Sequence, residues 1–230
     1  MKNYIFLLFF LLYNSIFSQE KIVETPFAVA DSLYREDQFF LGVTYNLLTY
    51  EPKNFAQNGL SLGLSAGFLR DFPINKSRTV AIAVGLGATY NKYHQNLLVS
   101  SQNNIINYEF ISDQVYDRNK LEQLMIDIPI EFRWRTSTFE KHQFFRLYTG
   151  FKVGYLVLNK TKFVGQAGTE NIINSPDFNK FQYGPTISVG YNSWNFHAYY
   201  GLRPIFNNAA INGQAIQMSN LNLGLIFYIL

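Results

Sequence analysis

The sequence predicts an all-β protein: an eight-stranded antiparallel up-and-down transmembrane β-barrel behind a secretion signal. Three observations predict it. Strand-length segments with one apolar face and one small or polar face recur about eight times, the pattern of strands that meet lipid outside and a lumen inside. The connections between them alternate in length. Aromatic residues gather towards the strand ends, where two interfacial girdles would lie. Composition agrees: 22 Phe and 16 Tyr accompany only 15% charged residues. Mean hydropathy is nevertheless close to zero, because half of each strand is polar.

The chain divides into a signal peptide at 1–18, a periplasmic lead-in at 19–38 and the barrel at 39–230. Lys2 precedes an apolar run from Tyr4 to Tyr13 that is too short to span a membrane as a helix. Small and polar residues follow, with Ser18 placed for cleavage and Gln19 as the new N-terminus. A short membrane anchor is the alternative for this segment. Cysteine is absent, which excludes a lipidated cysteine, disulfides and thiol chemistry. The net charge of +3 comes without any Lys/Arg run, so nothing supports binding to nucleic acid.

The strands follow in order. Residues 39–50 place Leu41, Val43, Tyr45 and Leu47 opposite Gly42, Thr44 and Asn46. In 58–69, Leu60, Leu62, Leu64, Ala66 and Phe68 face out while Ser61, Gly63, Ser65 and Gly67 face in. In 79–93, Val80, Ile82, Val84, Leu86, Ala88 and Tyr90 alternate with Ala, Gly and Thr. The fourth strand, 124–136, turns Ile126, Ile128, Ile130, Phe132 and Trp134 to lipid. The fifth, 145–158, uses Phe145, Leu147, Phe151, Val153, Tyr155 and Val157. Residues 181–191 and 194–202 continue the pattern through Tyr183, Ile187 and Val189, then Trp194, Phe196, Ala198 and Tyr200. The last strand alternates Leu221, Leu223, Leu225, Phe227 and Ile229 with Asn222, Gly224, Ile226 and Tyr228.

The connections at 70–78, 137–144 and 192–193 are the tight or charged ones, and fall on the side of the termini. Those at 91–123, 159–180 and 203–219 are long, and fall outside; 51–57 is a short external loop. Bacterial barrels have short periplasmic turns and long external loops. Trp134, Phe145, Trp194 and Phe227 gather at the periplasmic ends. Tyr90, Tyr155, Phe181, Tyr183 and Tyr200 gather at the outer ends. A soluble, ligand-enclosing barrel is the alternative; it would turn the apolar face inward.

Chemistry concentrates on the inward face of two strands. Strand parity turns Asp127, Glu131, Arg133, Arg135, Arg146 and Lys152 inward, with Tyr148 among them. Pairing across the short turn sets Arg135 near Arg146, and Lys152 between the levels of Asp127 and Glu131. Charges in so narrow an interior must pair or be hydrated. They are expected to form a mixed-charge network that plugs the lumen; a narrow gated pore or small ligand site is the alternative. Pro129 points inward mid-strand, where it suggests a bulge or local break. His197, Tyr199 and Arg203 are expected to line the seventh strand. His94 falls just above the outer interface and His142 in a periplasmic turn. No nucleophile has a base at recognisable spacing and no His/carboxylate cluster suits a metal, so no catalytic, cofactor or metal site is expected. The loops 91–123 and 159–180 are the expected surfaces for protein partners, beside the lipid bilayer and its outer-membrane lipids.

Four segments carry a resemblance. They are the signal peptide ending before Gln19, the run 127–138 with Pro129 and Glu131-Phe132-Arg133, the segment Tyr148-Thr149-Gly150-Phe151-Lys152, and the ending Phe227-Tyr228-Ile229-Leu230. With them the chain resembles the outer membrane β-barrel domain proteins of Bacteroidetes, the PorT-like or "porin family" group. The resemblance implies a place in the cell outer membrane. For the PorT branch it implies a part in type IX secretion. The expected function is a non-enzymatic scaffold or an envelope- or secretion-assembly component. The alternative is a narrow porin-like channel for ions or small solutes, with a membrane-embedded hydrolase or acyltransferase a third.

Overall fold

The computed structural model describes residues 37–102, 105–112, 116–136, 145–166 and 168–229. The expected signal peptide, the lead-in as far as residue 36, and the turn bearing His142 lie outside the described residues. Among the described residues there are thirteen strands: β1 (Asp37–Thr49), β2 (Leu62–Pro73), β3 (Val80–His94), β4 (Leu97–Gln102), β5 (Ile105–Phe110), β6 (Tyr116–Arg135), β7 (Phe145–Gly165), β8 (Gly168–Ile173), β9 (Phe181–Tyr191), β10 (Trp194–Tyr200), β11 (Ala210–Ile211), β12 (Gln214–Ala215) and β13 (Ser219–Ile229).

Eight of them close into a ring. β1 pairs with β2, β2 with β3, β3 with β6, β6 with β7, β7 with β9, β9 with β10, β10 with β13, and β13 returns to β1. Every one of these pairings is antiparallel. Closure leaves no open edge among the eight strands, which is what a sheet in lipid requires. The closing register sets Val43 against Leu225 and Asn46 against Asn222.

The burial pattern is inside-out by the standard of a water-soluble protein. Along β1 every second residue is buried, and the buried set is Gln38, Phe40, Gly42, Thr44, Asn46 and Leu48. The exposed set is largely apolar: Phe39 is 61% exposed, Leu64 54%, Leu86 59% and Phe196 73%. An apolar surface of this extent marks contact with lipid or partner rather than water. It runs opposite to a soluble barrel that holds a ligand against inward-facing apolar residues. Aromatic rings pair outward at both ends of the belt. Trp134 meets Phe145 and Trp194 meets Phe227 at one end, and Tyr155 meets Phe181 at the other.

At one end of the ring, short turns join β2 to β3 and β9 to β10. Asn192, with φ of 56°, enters the left-handed region that the Asn192-Ser193 turn between β9 and β10 needs. The other end carries the long connections, and they are more ordered than loops. β6 and β7 run on beyond the belt to Tyr116 and Gly165, β8 adds to β7, and β4 and β5 form a separate hairpin.

Three expectations need correction. The second strand occupies Leu62–Pro73 rather than 58–69. Its alternation continues through Arg70 and Asp71, charged residues that read as a turn but sit on opposite faces of the strand. Of the bulge or local break expected at Pro129, the structure has the break and not the bulge. The partner of Pro129 on β7 is Lys152, in unbroken register, while the ladder to β3 lapses between Val84↔Ile130 and Gly87↔Asp127. Proline has no N–H to give that ladder. The irregularity lies higher, between Leu124 and Met125, where Val157 becomes the extra residue of β7. Arg203 does not line a strand, because β10 ends at Tyr200.

Candidate functional site

The ring interior is filled in layers, and the charged layer lies towards the short-turn end. Its centre is Arg133 on β6, fully buried. Its Nε and Nη2 both donate to Glu131 Oε2, at 2.9 and 2.8 Å. Its Nη1 donates to Gln38 Oε1 at 2.9 Å and also to Asp71. The guanidinium carbon lies 4.7 Å from the Tyr148 ring centre and 5.1 Å from that of Tyr228. Those two rings meet edge to face. Asp71 also binds Arg135, with Nη1 to Oδ2 at 3.1 Å, and Arg135 Nε donates to the Arg78 carbonyl at 2.9 Å. One planar cation thus joins β1, β2, β6, β7 and β13 across the interior. Arg suits the position: its fork serves several acceptors and its faces stack on aromatic rings.

A second layer lies midway along the ring. Lys152 Nζ is 3.5 Å from Asp127 Oδ2 and 4.3 Å from the Tyr199 ring centre. Asp127 also accepts from the Thr89 hydroxyl. On the facing wall Ser188 Oγ and His197 Nδ1 are 2.8 Å apart. The open space among Asp127, Glu131, Lys152, Thr186 and His197 is a cavity of about 30 Å³, room for about one water. Phe40 projects inward beside it. It lies over Gly67 and Gly87, where an added Cβ would come within 2.6 and 2.8 Å of its ring; any larger residue there would displace it.

The next layer is an amide cluster. Asn222 Nδ2 donates to Asn46 Oδ1 at 2.6 Å and Asn91 Oδ1 at 2.9 Å, and Asn46 Nδ2 donates to Asn91 at 3.0 Å. Above it the long-loop end is filled by apolar side chains. Leu48, Tyr93, Leu121, Met125 and Leu156 point in from the strands, and Phe178, Ile205, Phe206, Ile216 and Met218 come from the connections. The β4–β5 hairpin is fixed onto this cluster by Tyr108, which packs on Phe206 and donates to Asp177 Oδ2 at 2.8 Å. Burial, and then this contact with a carboxylate, raise the Tyr108 pKa above the ordinary phenol value.

Of the six charges expected to share one interior, the structure brings together Glu131, Arg133 and Arg135, and separately Asp127 and Lys152. Lys152 does lie between the levels of Asp127 and Glu131, but its ion pair is with Asp127 alone of the two. Arg146 is half-buried opposite Arg135 in the register. The residue that sequence reasoning missed is Asp71, which links the two arginines. Its signal was there: the even-numbered outer set from Leu62 is interrupted at Arg70 but resumes at Phe72, which puts Asp71 on the inner face with Gly67 and Leu69. Among the described residues no group of three His or acidic side chains could hold a metal ion.

A family model described as "Outer membrane protein beta-barrel domain" matches residues 17–207. No curated protein matches the sequence. A solved structure described as "Asymmetric conductivity of engineered proteins" aligns with 85% of this chain and 100% of its own, at 7% identity and a TM-score of 0.21; so slight a likeness carries no argument.

Proposed function

We propose a role for this chain from the premise that it belongs to the outer membrane protein β-barrel domain family. It crosses the outer membrane as an eight-stranded up-and-down barrel whose lumen is plugged. It works as a non-enzymatic scaffold or envelope-assembly component. The observation that carries the reading is Arg133, completely buried and tied to Gln38, Asp71 and Glu131 on three strands, in a lumen already narrow at eight strands. A free path for solute would have to break that cluster and the apolar layer above it. The interior cavity of about 30 Å³ beside Ser188 and His197 is too small for a substrate, which supports the non-enzymatic reading.

A scaffold needs an outward surface, and the ordered connections supply it in the β4–β5 hairpin and the β7–β8 overhang within 91–123 and 159–180. A part in type IX secretion, as in the PorT-like branch, is the specific form of this proposal. It rests on the resemblance of residues 127–138, 148–152 and 227–230. The test is mild extraction from native membranes followed by co-purification. The unboiled protein should migrate differently from the boiled protein on a gel, as closed barrels do, and should bring a stoichiometric protein partner with it. Recovery as a barrel without any partner would overturn the scaffold role. Recovery in the soluble periplasmic fraction would overturn the barrel itself. The porin-like channel is the second reading, favoured by the charged lining and small cavity of the middle layer around Lys152.

A further inference from the structure

The outward face changes character abruptly at the long-loop end of β3, β6 and β7. The row Tyr90↔Leu124↔Leu158 is apolar and closes the belt. Two residues on, about 7 Å along the strands, the row is Lys92↔Glu122↔Lys160. Two further on it is His94↔Lys120↔Lys162, with Arg118 beyond it on β6. Across both rows the single acidic side chain is Glu122, and it is already engaged, accepting from Tyr90 at 2.7 Å and from Lys120 at 2.5 Å. Lys92, Lys160 and Lys162 make no ion pair among the described residues.

This arrangement is unfavourable by itself. Lys120 and Lys162 are directly opposite across the strand pair, and like charges in that position repel. The field reaches His94: burial and then the charges of Lys92, Lys120 and Arg118 hold its imidazole below its ordinary pKa. A repulsive cluster on regular strands, in two successive rows directly above an aromatic and aliphatic belt, is what a shared anion would relieve. Basic residues gathered just beyond a membrane-embedded segment read as contacts for anionic headgroups.

We infer that Lys92, Lys160 and Lys162, with Lys120 and Arg118, form a binding face for the phosphate of an outer-leaflet lipid headgroup. The acyl chains would lie along Leu86, Ile126, Tyr155 and Val157, which are all exposed below it. The rows place the cations at the level where headgroup phosphates meet the ends of those chains. Because only β3, β6 and β7 carry the rows, the contact is one-sided, and fixes a lipid at one position on the circumference.

The inference rests on the membrane-spanning reading, and its test separates the two. The full chain is reconstituted in phosphatidylcholine nanodiscs containing either phosphorylated lipid A or the same lipid after dephosphorylation, and retained lipid is counted by native mass spectrometry. The expected result is retention of the phosphorylated lipid over the dephosphorylated one. The Lys92→Gln, Lys160→Gln, Lys162→Gln triple variant should lose that preference by about tenfold or more, while keeping the unboiled gel mobility of a folded barrel. Equal retention of both lipids, an unchanged preference in the folded triple variant, or displacement of the lipid by inorganic phosphate alone would overturn the inference with the barrel intact. A wild-type chain that fails to enter nanodiscs with barrel mobility would overturn the membrane reading, and the inference with it.

Discussion

At the long-loop end the interior is filled by Leu48, Tyr93, Met125, Phe178, Ile205 and Met218. At the short-turn end it is filled by Arg133, Asp71, Glu131 and Arg135, with Gln38 and two tyrosines. Both regions are as buried as a protein core, yet they tolerate damage differently. The apolar end gains stability from area, so losing one side chain costs in proportion to the atoms removed. The charged end is stable only while complete, since each member left alone is a buried charge without a partner. The difference teaches how a ring that turns its apolar residues outward can still hold a packed inside: apolar packing where connections can supply hydrophobes, and one multivalent cation where only strands reach.

The sharpest way to break the comparison is Arg133→Ala. It leaves Glu131 buried without its cation and takes from Asp71 one of its two arginines, and should cost about 3–5 kcal/mol in urea unfolding from lipid vesicles. Adding Asp71→Asn and Glu131→Gln should recover much of that loss; no recovery would show that Arg133 acts by packing instead. Next in size is a change on the outer face. Leu225→Arg, opposite Val43 and Phe196 near mid-belt, should cost about 2–4 kcal/mol if that face meets lipid. Full barrel yield for this variant would contradict the register.

At the other end of the interior, Ile205→Ala should cost about 2–3 kcal/mol through the cavity it leaves. No neighbouring substitution that merely removes charge should rescue it. Rescue by such a change would erase the distinction between the two ends. The smallest effect separates the two charged layers. A double-mutant cycle on Asp127 and Lys152 should show coupling of about 1 kcal/mol. The cycle on Glu131 and Lys152 should be nearly additive, because Glu131 is bound to Arg133. Strong coupling in the second cycle would merge the layers into one network.

The outward half of the ring was legible in the sequence, because its rule is simple: every second residue is apolar and the period is two. That rule located all eight ring strands and turned Asp127, Glu131, Arg133 and Lys152 inward. The inward half was less legible. Arg70 and Asp71 read as turn residues, because charge normally ends a strand, whereas a lumen accepts charge and β2 runs on to Pro73. Pairing within the lumen was legible only in part: the register set Lys152 between Asp127 and Glu131 without choosing between them, while Arg133 folds back on its own strand to Glu131 and leaves Lys152 to Asp127. The apolar layer was less legible because about half its members, such as Phe178, Ile205 and Ile216, come from connections with no period to read. The bulge at Val157 escaped for a related reason: two consecutive apolar residues, Val157 and Leu158, hide the shift of face.

The claim that both ends of the lumen are closed is tested most directly by electrical recording. Purified, correctly folded protein inserted in a planar bilayer should carry no steady current, with the Arg133→Ala, Ile205→Ala double variant showing openings that the wild type lacks. A large, steady, ohmic conductance in the unmodified protein would contradict the plug and leave the channel reading in its place.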